Sequence, residues 1–219
     1  MFVIINVKGI IIQSISNIIG LDVVCMSKKD RIRNICSIIL GILFISTTLL
    51  GYYKDISYMS EYCFISGIIV GLILIGSFIY YIKKGKYFPE WIYANCVVTT
   101  IVIFIATLII KLSLEGAFWF IHIINPILLF LYWCIFCNHN KINNQLLIST
   151  NLIFPICYII FAQVIFVMTN NCPFPAKIIL VGNSWNVIIC YIIGICFVFL
   201  LLGYGLHFSN RFINKKVGR

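Results

Sequence analysis

Of 219 residues, 62% are hydrophobic and 10% are charged, against about 25% charged in soluble domains. A chain this apolar excludes a soluble enzyme and a disordered segment, and leaves no room for a separate soluble domain beside a set of membrane spans. The net charge of +10, from 16 Lys and Arg against 6 Asp and Glu, has to reside mainly in loops, so a nucleic-acid partner is excluded as well.

In chain order, residues 1–25 are apolar but broken by Lys8, Gln13, Asn17 and Asp22. They make a poor span and lack the basic start and small-residue cleavage site of a signal peptide. Two readings stay open: an interfacial amphipathic helix, or an extension upstream of a true start at Met26. The division expected is an N-terminal extension with a basic cytoplasmic segment over 1–34, a transmembrane domain over 35–212, and a basic cytoplasmic tail over 213–219.

Windows of about 20 apolar residues fall at 35–53, 62–82, 92–111, 117–137, 147–168 and 186–207, none with an Asp or Glu inside. The fold class expected is therefore all-α: a polytopic membrane protein built as a six-transmembrane-helix bundle. Pro126 in the fourth span and Pro155 in the fifth are tolerable because neighbouring helices can satisfy the freed carbonyls.

Alternate loops divide the cations unevenly. Lys28, Lys29, Arg31, Arg33, Lys83, Lys84, Lys86, Lys141, Arg211, Lys215, Lys216 and Arg219 fall on one side; Lys54, Lys111 and Lys177 fall on the other. The positive-inside rule then predicts a multi-pass protein of the cell membrane with both termini cytoplasmic. Tyr52, Tyr53, Tyr87, Trp91, Trp119 and Trp185 stand near span boundaries, where aromatic belts form. Of the ten cysteines, most lie inside apolar runs, where they act as small hydrophobes. Cys63 and Cys172 lie near the outer ends, which leaves a disulfide open.

Polar groups inside a bilayer are costly and mark candidate sites. In Phe120-Ile-His122-Ile-Ile-Asn125-Pro126, proline offers no N–H to the His122 carbonyl, so a kink is expected there. A neutral His122 imidazole at that depth suits a general base. The orientation brings Glu61, Cys63, Ser66, Thr107, Gln163, Asn183, Asn186 and Tyr191 to the same outer level, a polar chamber. Cys63 or Ser66 supplies a nucleophile for His122. Asn125, Gln163, Asn186 and Tyr191 are the substrate-binding candidates, with the amides as oxyanion donors. Gly67 and Gly71 form a small-xxx-small seam with Cys63 one turn before them. Cys134-Ile-Phe-Cys137-Asn-His139 has a CxxC spacing but no second ligand pair, and neither metal nor cofactor is expected.

These segments resemble a bacterial six-transmembrane family related to the eukaryotic androgen-induced and androgen-dependent membrane proteins. The resemblance runs over most of 35–212 and is carried by His122-Ile-Ile-Asn-Pro126-Ile-Leu-Leu-Phe-Leu-Tyr-Trp133, then by Pro155-Ile-Cys-Tyr158 and Asn171-Cys-Pro173-Phe-Pro175. It implies an intramembrane threonine hydrolase of fatty-acid esters of hydroxy fatty acids, with the histidine on His122. The family's threonine falls on Cys63, its nearby Gln and Asn are unmatched, and Ser66 lies one turn inward. The function expected is an intramembrane hydrolase of lipid or fatty-acid esters, with membrane lipids and an acyl ester as its partners. The alternatives are a non-catalytic component for small-molecule binding or transport, or a structural assembly partner. Oligomeric state stays open.

Overall fold

The computed structural model describes residues 26–54, 56–110, 114–137 and 148–217, and among these the secondary structure is helical throughout. The expectations placed on residues 1–25, Lys111, His139 and Lys141 lie outside that set.

Helix α1 runs from Lys28 to Tyr52, capped by the Ser27 hydroxyl, which accepts the Asp30 N–H at 3.1 Å. A 3₁₀ turn at Ile56–Ser60 leads into α2, Tyr62–Lys84. Gly85 ends α2 at φ 63° and returns its N–H to the Tyr81 carbonyl, a conformation open to glycine without a Cβ penalty. Helix α3 spans Glu90–Ile110, α4 Asn125–Phe136, α5 Ile153–Thr169, the short α6 Ala176–Leu180, and α7 Trp185–Val217.

Five of these helical segments are long and apolar enough to cross a membrane, so the chain folds as a helical membrane bundle. The expected fourth span is shorter, an apolar helical stretch over Phe120–Phe136. At Pro126 the helix does not simply kink. Residues Phe120–Ile124 widen into a π turn, with the Asn125 N–H bonded to the Phe120 carbonyl five residues back. Such a turn places the irregularity just ahead of the proline, where an ordinary ladder would have lost a bond. It also sets His122 and Asn125 inward, with Asn125 only 1% exposed.

The helices alternate in direction. One end gathers the start of α1, the end of α2, the start of α3 and the end of α4, and carries Lys28, Lys29, Lys83 and Lys84. We call it the basic end. The other gathers the end of α1, the starts of α2 and of the π turn, the end of α3, and the segment before α6.

The firmest packing joins α1 to α2, and small residues explain it. Gly41 and Gly71 face each other so closely that a Cβ on Gly71 would lie 2.6 Å from Ile45 and 2.9 Å from the Gly41 carbonyl. Gly67 meets the Thr48 hydroxyl, and Ser37 donates to the Leu74 carbonyl at 2.8 Å. The expected glycine seam is thus the α1–α2 contact. We predict that Gly71→Ala destabilises the protein by about 1–3 kcal/mol, the usual cost of overpacking. Gly194→Ala on α7, where a Cβ meets nothing within 4 Å, should be neutral in the same unfolding titration.

Deeper contacts are fixed by buried side chains. Trp133, Tyr93, Leu74 and Leu129 are almost wholly enclosed. The Asn125 amide donates to the Thr47 hydroxyl at 2.9 Å, and Asn95 donates to Thr150 at 2.6 Å. The Ser77 and Tyr93 hydroxyls hydrogen-bond between α2 and α3.

Candidate functional site

At the end opposite the basic one, the bundle holds a half-open cavity of about 370 Å³. Tyr52 closes it from α1, Glu61, Tyr62 and Cys63 from the start of α2, Thr107 from the end of α3, and Phe118 and His122 from the π-turn segment. Phe174 and Pro175 complete the roof. That roof is tied down, since the Phe174 carbonyl accepts the Tyr158 hydroxyl at 2.7 Å and the Tyr62 N–H at 3.3 Å.

His122 and Cys63 therefore line one cavity although 59 residues separate them in sequence. The His122 Nδ1 lies 3.0 Å from the Phe118 carbonyl. A carbonyl can only accept, so Nδ1 carries the proton and Nε2 is the ring's lone-pair acceptor, the form a general base needs. The Cys63 thiol sits beside the Tyr52 hydroxyl and the Glu61 carboxyl. No hydrogen bond joins it to His122 in this structure. Catalytic contacts of this kind are often loose without substrate.

Ser66 is placed differently. It is fully buried, donates its hydroxyl to the Cys63 carbonyl at 3.1 Å, and lines a second, largely apolar cavity of about 460 Å³ with Asn95, Thr99 and Thr150. The structure brings Cys63, and not Ser66, into the chamber of His122.

The four substrate-binding candidates do not converge on the cavity either. Asn125 is buried and turned to Thr47 on α1, while Gln163, Asn186 and Tyr191 lie on exposed faces of α5 and α7. Both of those helices present most of their apolar surface outward, so the outer-level position of those residues did not bring them inside.

Tyr52 and Glu61 hold the mouth. Tyr52, expected as a belt aromatic, is 3% exposed and donates to Glu61 Oε2 at 3.1 Å. Partial burial pushes the Glu61 carboxyl above the usual carboxylate range, and the Tyr52 hydrogen bond works against that shift. Trp119 and Trp185 are exposed as belt residues should be. Cys63 and Cys172 are free thiols rather than a disulfide pair.

A third cavity of about 260 Å³ shares Tyr62, Val102 and Pro175 with the first and is otherwise bounded by Pro155, Ile159, Ile195, Phe199 and similar apolar groups. The site is thus a mainly apolar chamber, with Val102, Ile103, Ala106 and Leu114 around its few polar groups, and an apolar annex suited to a hydrocarbon tail.

The basic end holds something the sequence did not reveal. Arg33 and Glu90 form a two-pronged ion pair, Nη1 to Oε1 at 3.2 Å and Nη2 to Oε2 at 3.1 Å, with both side chains under 9% exposed. The guanidinium also donates to the Phe136 carbonyl at 3.2 Å and stacks 3.7 Å from the Tyr87 ring centroid. Arg33 had been assigned to a loop, because the apolar window begins at 35 whereas α1 begins at Lys28. Cys137 lies against the same guanidinium, Nη2 to Sγ 4.0 Å. Among the described residues no three His, Cys, Asp or Glu gather as metal ligands.

Compared with protein-family models, with curated proteins and with solved structures, the chain matches none of them.

Proposed function

We propose that this chain is a six-span intramembrane hydrolase of lipid or fatty-acid esters, with both termini in the cytoplasm and its chamber at the outer face of the cell membrane. The observation that carries the reading is the single cavity lined by both Cys63 and His122, with His122 in the tautomer of a base. The apolar annex beside it supports an acyl substrate. So does the resemblance around His122 and Pro126 to the six-span family related to the androgen-induced proteins, in which cysteine would here replace threonine.

In the reaction, Nε2 of His122 takes the Cys63 thiol proton as sulfur bonds to the ester carbon. The carbon–oxygen bond to the alcohol then breaks, the alcohol leaves with the proton returned from His122, and a thioester remains on Cys63. Water enters, loses a proton to His122, attacks the thioester and releases the fatty acid, and the proton passes back to sulfur. Neither metal nor cofactor enters these steps.

The test is direct. Purified protein in maltoside micelles should release fatty acid from ester lipids and be labelled at Cys63 by a thiol-directed acyl probe. Protein that does neither removes the hydrolase reading and leaves a non-catalytic lipid-binding protein. Orientation has its own test: cysteines introduced near Lys54 or Lys177 should react with an impermeant reagent on intact cells, and one near Lys84 should not. Labelling at Lys84 would overturn the topology.

A further inference from the structure

Outside the Cys63–His122 chamber lies a separate cavity of about 330 Å³, bounded by Gly51, Tyr52, Lys54, Tyr58, Glu61 and Phe118. It shares Tyr52, Glu61 and Phe118 with the chamber, so the two are antechamber and room. Among the described residues its lining has one cation, one anion and three aromatic rings. Tyr52 and Phe118 meet edge to face with centroids 5.2 Å apart, while Tyr58 stands exposed on the far side.

The two charges do not neutralise each other. Among the described residues the ion pair found is Arg33 with Glu90, and none joins Lys54 to Glu61. Lys54 Nζ lies 5.9 Å from the Tyr53 ring centroid, and Glu61 accepts from Tyr52. Opposite charges held apart in one cavity present separate poles to a ligand that carries both. A carboxylate among aromatic faces suits an ammonium, through ion pairing and the attraction of a cation to ring faces. A lysine suits a phosphate as a point charge.

We propose that this antechamber binds the ammonium–phosphate head group of a zwitterionic phospholipid. The ammonium rests on Glu61 and the rings of Tyr52, Tyr58 and Phe118, and the phosphate rests on Lys54. The acyl ester of the same lipid then reaches past Tyr52 into the chamber. A cation on Glu61 also relieves the cost of its partly buried carboxylate. The assignment names the substrate class of the hydrolase and rests on that reading for turnover, whereas head-group binding stands without it.

Binding is therefore measured apart from chemistry. Full-length protein in maltoside micelles, wild type and His122→Gln, is titrated with dihexanoyl phosphatidylcholine, dihexanoyl phosphatidylglycerol and free phosphocholine. The expected result is at least about 10-fold tighter binding of phosphatidylcholine than of phosphatidylglycerol, the worth of a cation–ring contact together with the Glu61 carboxylate. Glu61→Gln, which keeps the acceptor for Tyr52, should erase that preference, and Lys54→Met should weaken both lipids. Equal binding of the two lipids by wild-type protein overturns the proposal without needing any variant. Free phosphocholine competing as well as the lipid transfers the site to a soluble solute and overturns it too. Protein that prefers phosphatidylcholine yet never hydrolyses it defeats the hydrolase alone, and protein that hydrolyses other esters without that preference defeats this assignment alone.

Discussion

Replacing His122 with Gln should leave the bundle folded and lower ester hydrolysis by roughly 100-fold or more, the usual worth of a positioned general base. Gln can still donate to the Phe118 carbonyl as Nδ1 does at 3.0 Å, but its side chain has no nitrogen that titrates near neutral pH. If His122 only joined helices, the loss would be about 0.6 kcal/mol of stability, an average for hydrogen bonds inside membrane bundles, and activity per folded molecule would hold. Cys63→Ala should match the His122 variant in activity, and the double variant should be no worse than either single one, because a nucleophile and its base act as a unit. Ser66→Ala should keep activity, since that hydroxyl is spent on the Cys63 carbonyl and faces the other cavity. Activity that survives Cys63→Ala but falls with Ser66→Ala would reverse the choice of nucleophile.

Sequence periodicity and charge located most of what matters along the membrane normal and little of what matters around it. Five of the six apolar windows fall on the long apolar helices, because every backbone group in hydrocarbon must bond within its own helix, and the alternation of the windows put His122, Cys63, Glu61 and Thr107 at one level. All four do line one cavity. Rotation about each helix axis was not legible. Gln163, Asn186 and Tyr191 share the level but point outward, because within the apolar windows of α5 and α7 polar residues are too sparse to form a stripe that marks an inner face. Helix α2 was readable for the opposite reason, as Gly67 and Gly71 declare a close-packed side and put Cys63 one turn from it. The π turn before Pro126 also escaped the sequence. A missing N–H says that a bond is lost, not how the preceding turn rearranges to absorb the loss.

Breaking the ion pair at the basic end should give the largest stability change in the molecule. The sequence places Arg33 among the loop cations and does not single out Glu90, because hydropathy windows stop where charges begin, yet α1 and α3 carry both inside the bundle. A single truncation leaves an unpaired buried charge, which costs about 3–5 kcal/mol. We expect Glu90→Gln to show most of that loss, since the guanidinium keeps its charge at any working pH and is left with neutral partners alone: the amide oxygen of the new side chain, the Phe136 carbonyl, Cys137 Sγ and the Tyr87 and Tyr93 faces. Arg33→Met should cost less, because an orphaned carboxyl can take up a proton and become neutral, whereas arginine cannot shed one. The paired replacement Arg33→Met with Glu90→Leu removes both charges and their desolvation together, and should return to within about 1–2 kcal/mol of wild type. Unfolding of the four proteins in mixed micelles at fixed pH gives the comparison. The chamber lies at the opposite end of the bundle, so ester hydrolysis per folded molecule should be unchanged in all four. Equal losses for the two single variants, with no recovery in the double, would mean that the shape and packing of the two side chains, and not their charge, hold that end closed.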